Sequence, residues 1–138
     1  MIEQLFSDDA FISLRKGLSA LSLRQQVIAN NVANVNTPGY KKQEVSFEDE
    51  FRQAIENRHE VGLRRTDPRH LPGTRPLDSV RIRVNTSAST SMRNDGNNVD
   101  IDEEMTKLAE NNIRFNAVAQ LMGGRFNTLK TVINEGRR

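Results

Sequence analysis

The sequence predicts an all-α protein. An N-terminal and a C-terminal helix pair as an antiparallel, coiled-coil-like hairpin around an irregular, partly disordered middle segment. Three observations lead there. Apolar residues near each end recur in alternating steps of three and four, and all four prolines fall between those runs. The third is composition: 36% of the 138 residues are hydrophobic, with one Tyr and no Trp. An ordinary globular domain is about 45–50% apolar on a count that includes Gly. Part of the chain is therefore expected to be extended, solvated or completed by a partner, with a marginal monomer that gains order by assembly.

The chain divides into residues 1–36, 37–99 and 100–138, read as one structural unit. In the first segment Ser7 suits an N-cap and Asp8 and Asp9 suit a first turn. Phe11, Leu14, Leu18, Leu21, Gln25, Ile28, Val32 and Val35 then trace a heptad seam with one polar position. Pro38-Gly39 ends it, since proline pushes Thr37 out of the α region and Gly accepts a positive φ. In the last segment Asp100 and Glu103 read as a capping box. Ile101, Met105, Leu108, Asn112, Phe115, Ala119, Met122, Phe126, Leu129 and Ile133 form the second seam, again with one polar position. Gly136 with Arg137 and Arg138 suits a helix stop. Gln25 and Asn112 are expected to pin the register of the packed helices, as buried polar residues do in coiled coils.

The middle segment is predicted to hold a short helix from Phe47 to Ile55, with Phe47, Phe51 and Ile55 at helical spacing. Val80 to Val84 alternates with period two and suits a short strand. Residues 86–91 are small and polar, like a linker. Gly17, Gly123 and Gly124 fall inside the predicted helices, either as tolerated weak spots or as tight packing sites between subunits.

Several functions are disfavoured. Net charge is +2 from 20 basic and 18 acidic residues, too small a surplus to point to nucleic acid or a membrane surface. The arginines at 58, 64, 65, 69, 75, 81, 83 and 93 have no interleaved aromatics for stacking bases, so no nucleic-acid partner is expected. There is no cysteine, and His59 and His70 stand without metal-ligand spacing, so no metal or cofactor is expected. No nucleotide-binding or nucleophile motif appears, and Asp102, Glu103 and Glu104 suit a helix start rather than acid–base chemistry. No run approaches the ~18 apolar residues of a membrane span. Met1 to Asp9 has neither the basic nor the apolar region of a secretory signal.

The most telling stretch is Ala29 to Tyr40. Asn30, Asn31, Asn34 and Asn36 crowd the end of a helix that Pro38-Gly39 stops. Asn competes for backbone hydrogen bonds and weakens helices, so these amides are expected to meet partners in other segments or chains. The run Ala29-Asn30-Asn31-Val32-Ala33-Asn34-Val35-Asn36-Thr37-Pro38-Gly39-Tyr40 resembles the N-terminal signature of bacterial flagellar rod and hook proteins. Asp95 to Met105, then Leu108-Ala109-Glu110-Asn111, is similar to the short proximal rod members of that family.

The resemblance implies a structural subunit of the flagellar basal body rather than an enzyme, lying outside the inner membrane. It implies contact with further copies, other rod proteins, the adaptor FliE, the MS ring protein FliF and export-gate proteins. It implies torque transmission by packed helices and delivery through the flagellar type III channel. It also implies an export-gate motif of Phe-x-x-x-hydrophobic form, which Phe47 with Phe51 fits; helical packing explains the same spacing. A cytoplasmic coiled-coil adaptor or chaperone is the alternative that the periodicity permits.

Overall fold

The computed structural model describes residues 9–56, 77–87 and 94–135. Helix α1 spans Asp9–Ala33, strand β1 Gln43–Ser46, helix α2 Glu48–Glu56, a 3-10 turn Leu77–Ser79, strand β2 Arg83–Thr86 and helix α3 Ile101–Glu135. The expected cap at Ser7 and Asp8, the Gly136 stop, both histidines, and residues 57–76 and 88–93 of the middle segment expected to be partly disordered lie outside these residues.

The two long helices pack antiparallel, as the matched seams predict. Asn31 meets Glu104, Asn111 reaches Leu21, and Gly17 faces Val118. Phe11 and Phe126 stand edge to face with centroids 5.4 Å apart. A second layer forms where the middle segment folds back on α1. β1 pairs antiparallel with β2, from Gln43 opposite Thr86 to Ser46 opposite Arg83. Ala20, Leu21, Val27, Val45 and Phe47 make the main core. Ala54, Leu77 and Val80 make a smaller one, and Phe51 of α2 packs against both. Lys16 ties the 3-10 turn to α1 by donating to the carbonyls of Asp78 and Val80.

Two details differ from the sequence reading. The expected strand at Val80–Val84 sits further along, at Arg83–Thr86. Val80 and Ile82 are apolar because they pack into the two cores from a loop, so their alternation signals burial rather than pairing. The seams are also displaced. In α1 the buried stripe is Ala20, Leu21, Val27, Ile28 and Asn31, with Phe11, Leu14, Leu18 and Val32 half-buried and Gln25 exposed. In α3 it is Glu104, Asn111 and Met122, with Leu108, Phe115, Ala119 and Leu129 half-buried and Met105, Asn112, Phe126 and Ile133 exposed. A straight helix turns at 3.6 residues, not 3.5, so a strict heptad drifts off the contact line. α1 must also face β1 as well as α3, which widens and rotates its buried face. Within the folded chain, therefore, Gln25 and Asn112 do not pin the register. Buried Asn31, Glu104 and Asn111 occupy the contact instead.

Candidate functional site: an asparagine joint between the terminal helices

Asn31 of the Asn run and the asparagines ahead of α3 converge on one joint. It forms where α1 ends, β1 begins and α3 starts.

Asn31 lies at its centre, with 0% of its surface exposed. Its Nδ2 donates to the Gln43 carbonyl at 2.8 Å and to Glu104 Oε2 at 2.8 Å. Its Oδ1 accepts from the Gln43 N–H at 3.0 Å and the Tyr40 hydroxyl at 3.2 Å. Both donors and both acceptor sites of the amide are thus used. The Asn31 side chain takes the place of a neighbouring strand, meeting both backbone groups on the open side of β1 at Gln43. Asp could not donate there, and Gln would carry the amide one methylene too far. Arg24 covers the same edge, donating to the Val45 carbonyl at 2.7 Å and to Glu48 at 2.8 Å. Its guanidinium also stands over the Phe47 ring, 5.0 Å from the centroid.

Asn97 is the second centre, also 0% exposed. Its Nδ2 reaches the carbonyls of Asn34, Val35 and Thr37 at 3.0, 3.0 and 2.9 Å. These belong to the turn leaving α1, where carbonyls have lost their helical partners. Its Oδ1 accepts from the Val99 N–H at 2.8 Å, which sets the chain for α3. Asn98 accepts from the Lys42 N–H at 2.7 Å and donates to the Ser87 carbonyl, joining both strands' flanks.

The turns have the local chemistry expected of them. Thr37, Pro38, Gly39 and Tyr40 form a turn with Gly39 at φ 73° and the Tyr40 N–H bonded to the Thr37 carbonyl. Gly39 N–H also donates to the Asp95 carbonyl at 2.9 Å. Gly96 has φ 82°, and a Cβ there would lie at an ordinary contact distance of 3.6 Å from the Gly39 Cα. Each turn thus needs its glycine for the positive φ rather than for want of space.

α3 starts with half of the expected capping box. Asp100 Oδ1 accepts from the N–H groups of Asp102 and Glu103 at 2.9 and 3.5 Å. The Glu103 carboxylate instead takes Lys107 and Lys42, both at 2.9 Å. Lys107, then Lys42, hold its carboxyl down at about 2 from an ordinary 4.5. Burial, and then the nearby Glu104, push the Tyr40 phenol above its usual value. A carboxyl depressed on folding stabilises the fold fully above the unfolded value near 4.5 and loses that contribution as pH falls toward about 2. Glu103→Gln is expected to flatten the acid limb of the stability curve across that window, read from urea midpoints against pH. Glu103 is nearly half exposed, so screening keeps the effect small and the slope is the readout.

Of the residues singled out in the Asn run, Asn31 is buried in the joint and Tyr40 bonds to it. Asn34 donates to the Asn30 carbonyl and accepts from the Thr37 hydroxyl. Val32 is half-buried, while Asn30, Asn36, Pro38 and Gly39 are exposed. Sequence reasoning missed Asn97, Glu104 and Arg24 as joint residues. A carboxylate at an inward-facing phase of α3 was the available signal for Glu104. Asn111 is buried as well, donating to the Leu21 carbonyl at 3.0 Å while its Oδ1 has no partner.

Residues 13–41, which contain most of α1 and the joint's first half, match the family of flagella basal body rod proteins. Paired terminal helices closed at this signature place the chain in that class of structural rod proteins. Whole-chain comparison narrows the class. The chain is 40% identical to the flagellar basal body rod protein FlgB of Bacillus subtilis (strain 168), over 91% of this chain and 93% of that protein. It is 36% identical to FlgB of Borreliella burgdorferi, over 84% and 89%. It is 28% identical to FlgB of Escherichia coli (strain K12), over 99% of each. The chain belongs to the FlgB family of flagellar basal body rod proteins.

Proposed function

We propose that this chain is a non-catalytic subunit of the proximal rod, transmitting torque through side-by-side packing of α1 and α3. The observation that carries this reading is the division of polar and apolar side chains in α3. Glu104 and Asn111 face inward at the contact with α1, while Ile113 and Leu121 remain 71% and 61% exposed on the outer side. An isolated protein gains nothing from that arrangement, but a subunit surrounded by others covers the outer face. The three segments 1–36, 37–99 and 100–138 act as one unit, because the joint ties them together. Neighbours are further copies, other rod proteins, FliE, FliF and export-gate proteins, outside the inner membrane. Among the described residues no helix is long and apolar enough to cross a membrane.

Delivery through the type III channel requires an unfolded chain, and the Phe47–Phe51 pair suits recognition in that state. Once folded, Phe47 is 9% exposed and stacks edge to face with Phe51, so the pair is readable only before folding. A Phe47→Ala, Phe51→Ala double variant is expected to accumulate in the cell and disappear from the exported fraction. Export at the wild-type level, measured by fractionation and immunoblot, would leave the two rings with a packing role alone.

The rod reading is tested by cryo-electron tomography of a strain lacking this gene, with the wild-type copy restored. Membrane rings and export gate without a rod, and recovery on complementation, are expected. An intact rod in the deletion strain would move the assignment to a cytoplasmic adaptor or chaperone.

A further inference from the structure

A cleft of about 250 Å³ lies between α1, β1 and α3, next to the asparagine joint. Two buried groups in its lining lack partners. Asn111 is 2% exposed; its amide donates to the Leu21 carbonyl, and its Oδ1 has no partner. Val45 is 3% exposed, and its N–H has no partner among the described residues. The register explains the second. Residues opposite each other in an antiparallel pair alternate between those that exchange hydrogen bonds and those that do not. The Ser87 N–H donates to the Lys42 carbonyl, so Lys42, Glu44 and Ser46 turn their backbone toward β2. Gln43 and Val45 turn theirs toward α1. Asn31 meets both groups of Gln43 and Arg24 meets the Val45 carbonyl, which leaves the Val45 N–H. We infer that this cleft receives an extended segment of a partner protein. A backbone carbonyl of that segment accepts from Val45, and its arginine guanidinium donates to Asn111.

Charge selects the cation. The lining sets the carboxylates of Glu44, Glu48, Glu104 and Glu110 against three cations, Arg24, Lys107 and Arg114, and so is one positive charge short. The cations are not spare either. Arg24 is held by Glu48, and Lys107 is divided between Glu44 at 3.1 Å and Glu103 at 2.9 Å. Buried Glu104 takes the Asn31 amide and, among the described residues, no cation. Arg114 holds its carboxylates loosely, Glu48 at 3.8 Å and Glu110 at 3.9 Å, so Glu110 is open to a better partner. Arginine suits this place more than lysine does. Its planar fork can meet a carbonyl oxygen and a carboxylate together, and Glu110 and Asn111 are neighbours in the chain. Its methylenes can lie along Val27 and Ile28, the apolar part of the lining. Glu44, Glu110 and Arg114 are exposed, so the cleft is open to solvent on their side. A free guanidinium offers donors alone; a peptide answers both the Asn111 oxygen and the Val45 N–H. The inference goes beyond the rod reading and does not rest on it.

The probe is the capped tripeptide acetyl-Ala-Arg-Ala-amide, titrated into the isotope-labelled full chain and followed by NMR. Saturable shifts of the Val45 amide and the Asn111 side-chain amide are expected at millimolar peptide. Citrulline in place of arginine keeps the shape and loses the charge, and should weaken binding about tenfold, the scale of one charge-assisted hydrogen bond. Agmatine keeps the guanidinium without a backbone, and should shift Asn111 but not Val45. Glu110→Gln and Asn111→Leu should each weaken the peptide several-fold, read at Val45 once circular dichroism has matched helix content to wild type. If Asn111→Leu does not fold, Glu110→Gln, on exposed surface, decides alone. No saturable shift at either group, equal binding of the citrulline peptide, or unchanged binding by Glu110→Gln would overturn the inference. So would agmatine moving Val45 as the peptide does, which assigns the cleft to a free cation. The same shifts on concentrating the chain without peptide would also overturn it, in favour of a second copy. None of these results changes what the deletion strain shows, so the rod reading stands or falls separately.

Discussion

Asn31→Asp is expected to destabilise the folded chain by about 3–5 kcal/mol, the range for a buried charge left unpaired. The change is nearly isosteric, so packing is not at issue. It removes the donor that serves the Gln43 carbonyl and places a carboxylate oxygen where Nδ2 now stands, 2.8 Å from Glu104 Oε2. Glu104 is 2% exposed, so water cannot relieve the repulsion. The loss should shrink as pH falls through the carboxylate range, because two carboxyls at hydrogen-bond distance can share a proton. Urea midpoints for wild type and variant at several pH values test both parts. A loss below about 1 kcal/mol, the scale of one ordinary hydrogen bond, would mean that Asn31 is not the centre of the joint.

Asn97→Ala is the second large effect, expected at about 2–4 kcal/mol. It strips the donor from three carbonyls and the acceptor from the Val99 N–H, in a position with no exposed surface. Asn97→Asp divides the effect, since it keeps the acceptor for Val99 and loses the donor. Amide hydrogen exchange gives the residue-level test. Protection should fall in the turn leaving α1, at amides such as Asn34 and Val35, although the mutated residue is distant in sequence. Wild-type protection there would show that the turn holds itself.

The hairpin was legible because long amphipathic repeats report on themselves. Both seams, the Pro38-Gly39 turn and the short helix after Phe47 follow from local spacing and turn chemistry. What local spacing could not report was rotation about each helix. Val27 and Ile28 are both apolar, and nothing nearby in the chain says that α1 faces a strand as well as a helix. Inward-facing Glu104 and Asn111 look like surface residues until Asn31 and the Leu21 carbonyl are set opposite them. β1 was invisible because Gln43-Glu44-Val45-Ser46 has a single apolar residue, and much of its edge is satisfied by side chains of α1 rather than by a third strand. The Asn run itself was conspicuous, and its amides were expected to reach distant partners. Asn31 does so, at Gln43, Tyr40 and Glu104. The backbone of the turn after it is held instead by Asn97, in a segment, Asp95 to Val99, that entered the sequence reading only as part of a family likeness.

The spacing of the joint's partners sets a clock on folding. Asn31 waits for Glu104, 73 residues later, and the turn after α1 waits for Asn97, more than 60 residues later at two of its three carbonyls. Asn111 closes on Leu21 across 90 residues. A chain that appears N-terminus first, from a ribosome or any narrow exit, presents α1 long before anything can lock it. Until the last third emerges, that helix is a single amphipathic segment with bare amides at its end, too weakly held to set into a fixed shape. Arrival of residues 97–111 then secures the strand edge, the turn and the helix pair almost together. A chain that emerges in that order stays pliable until residues 97–111 arrive and becomes rigid only then.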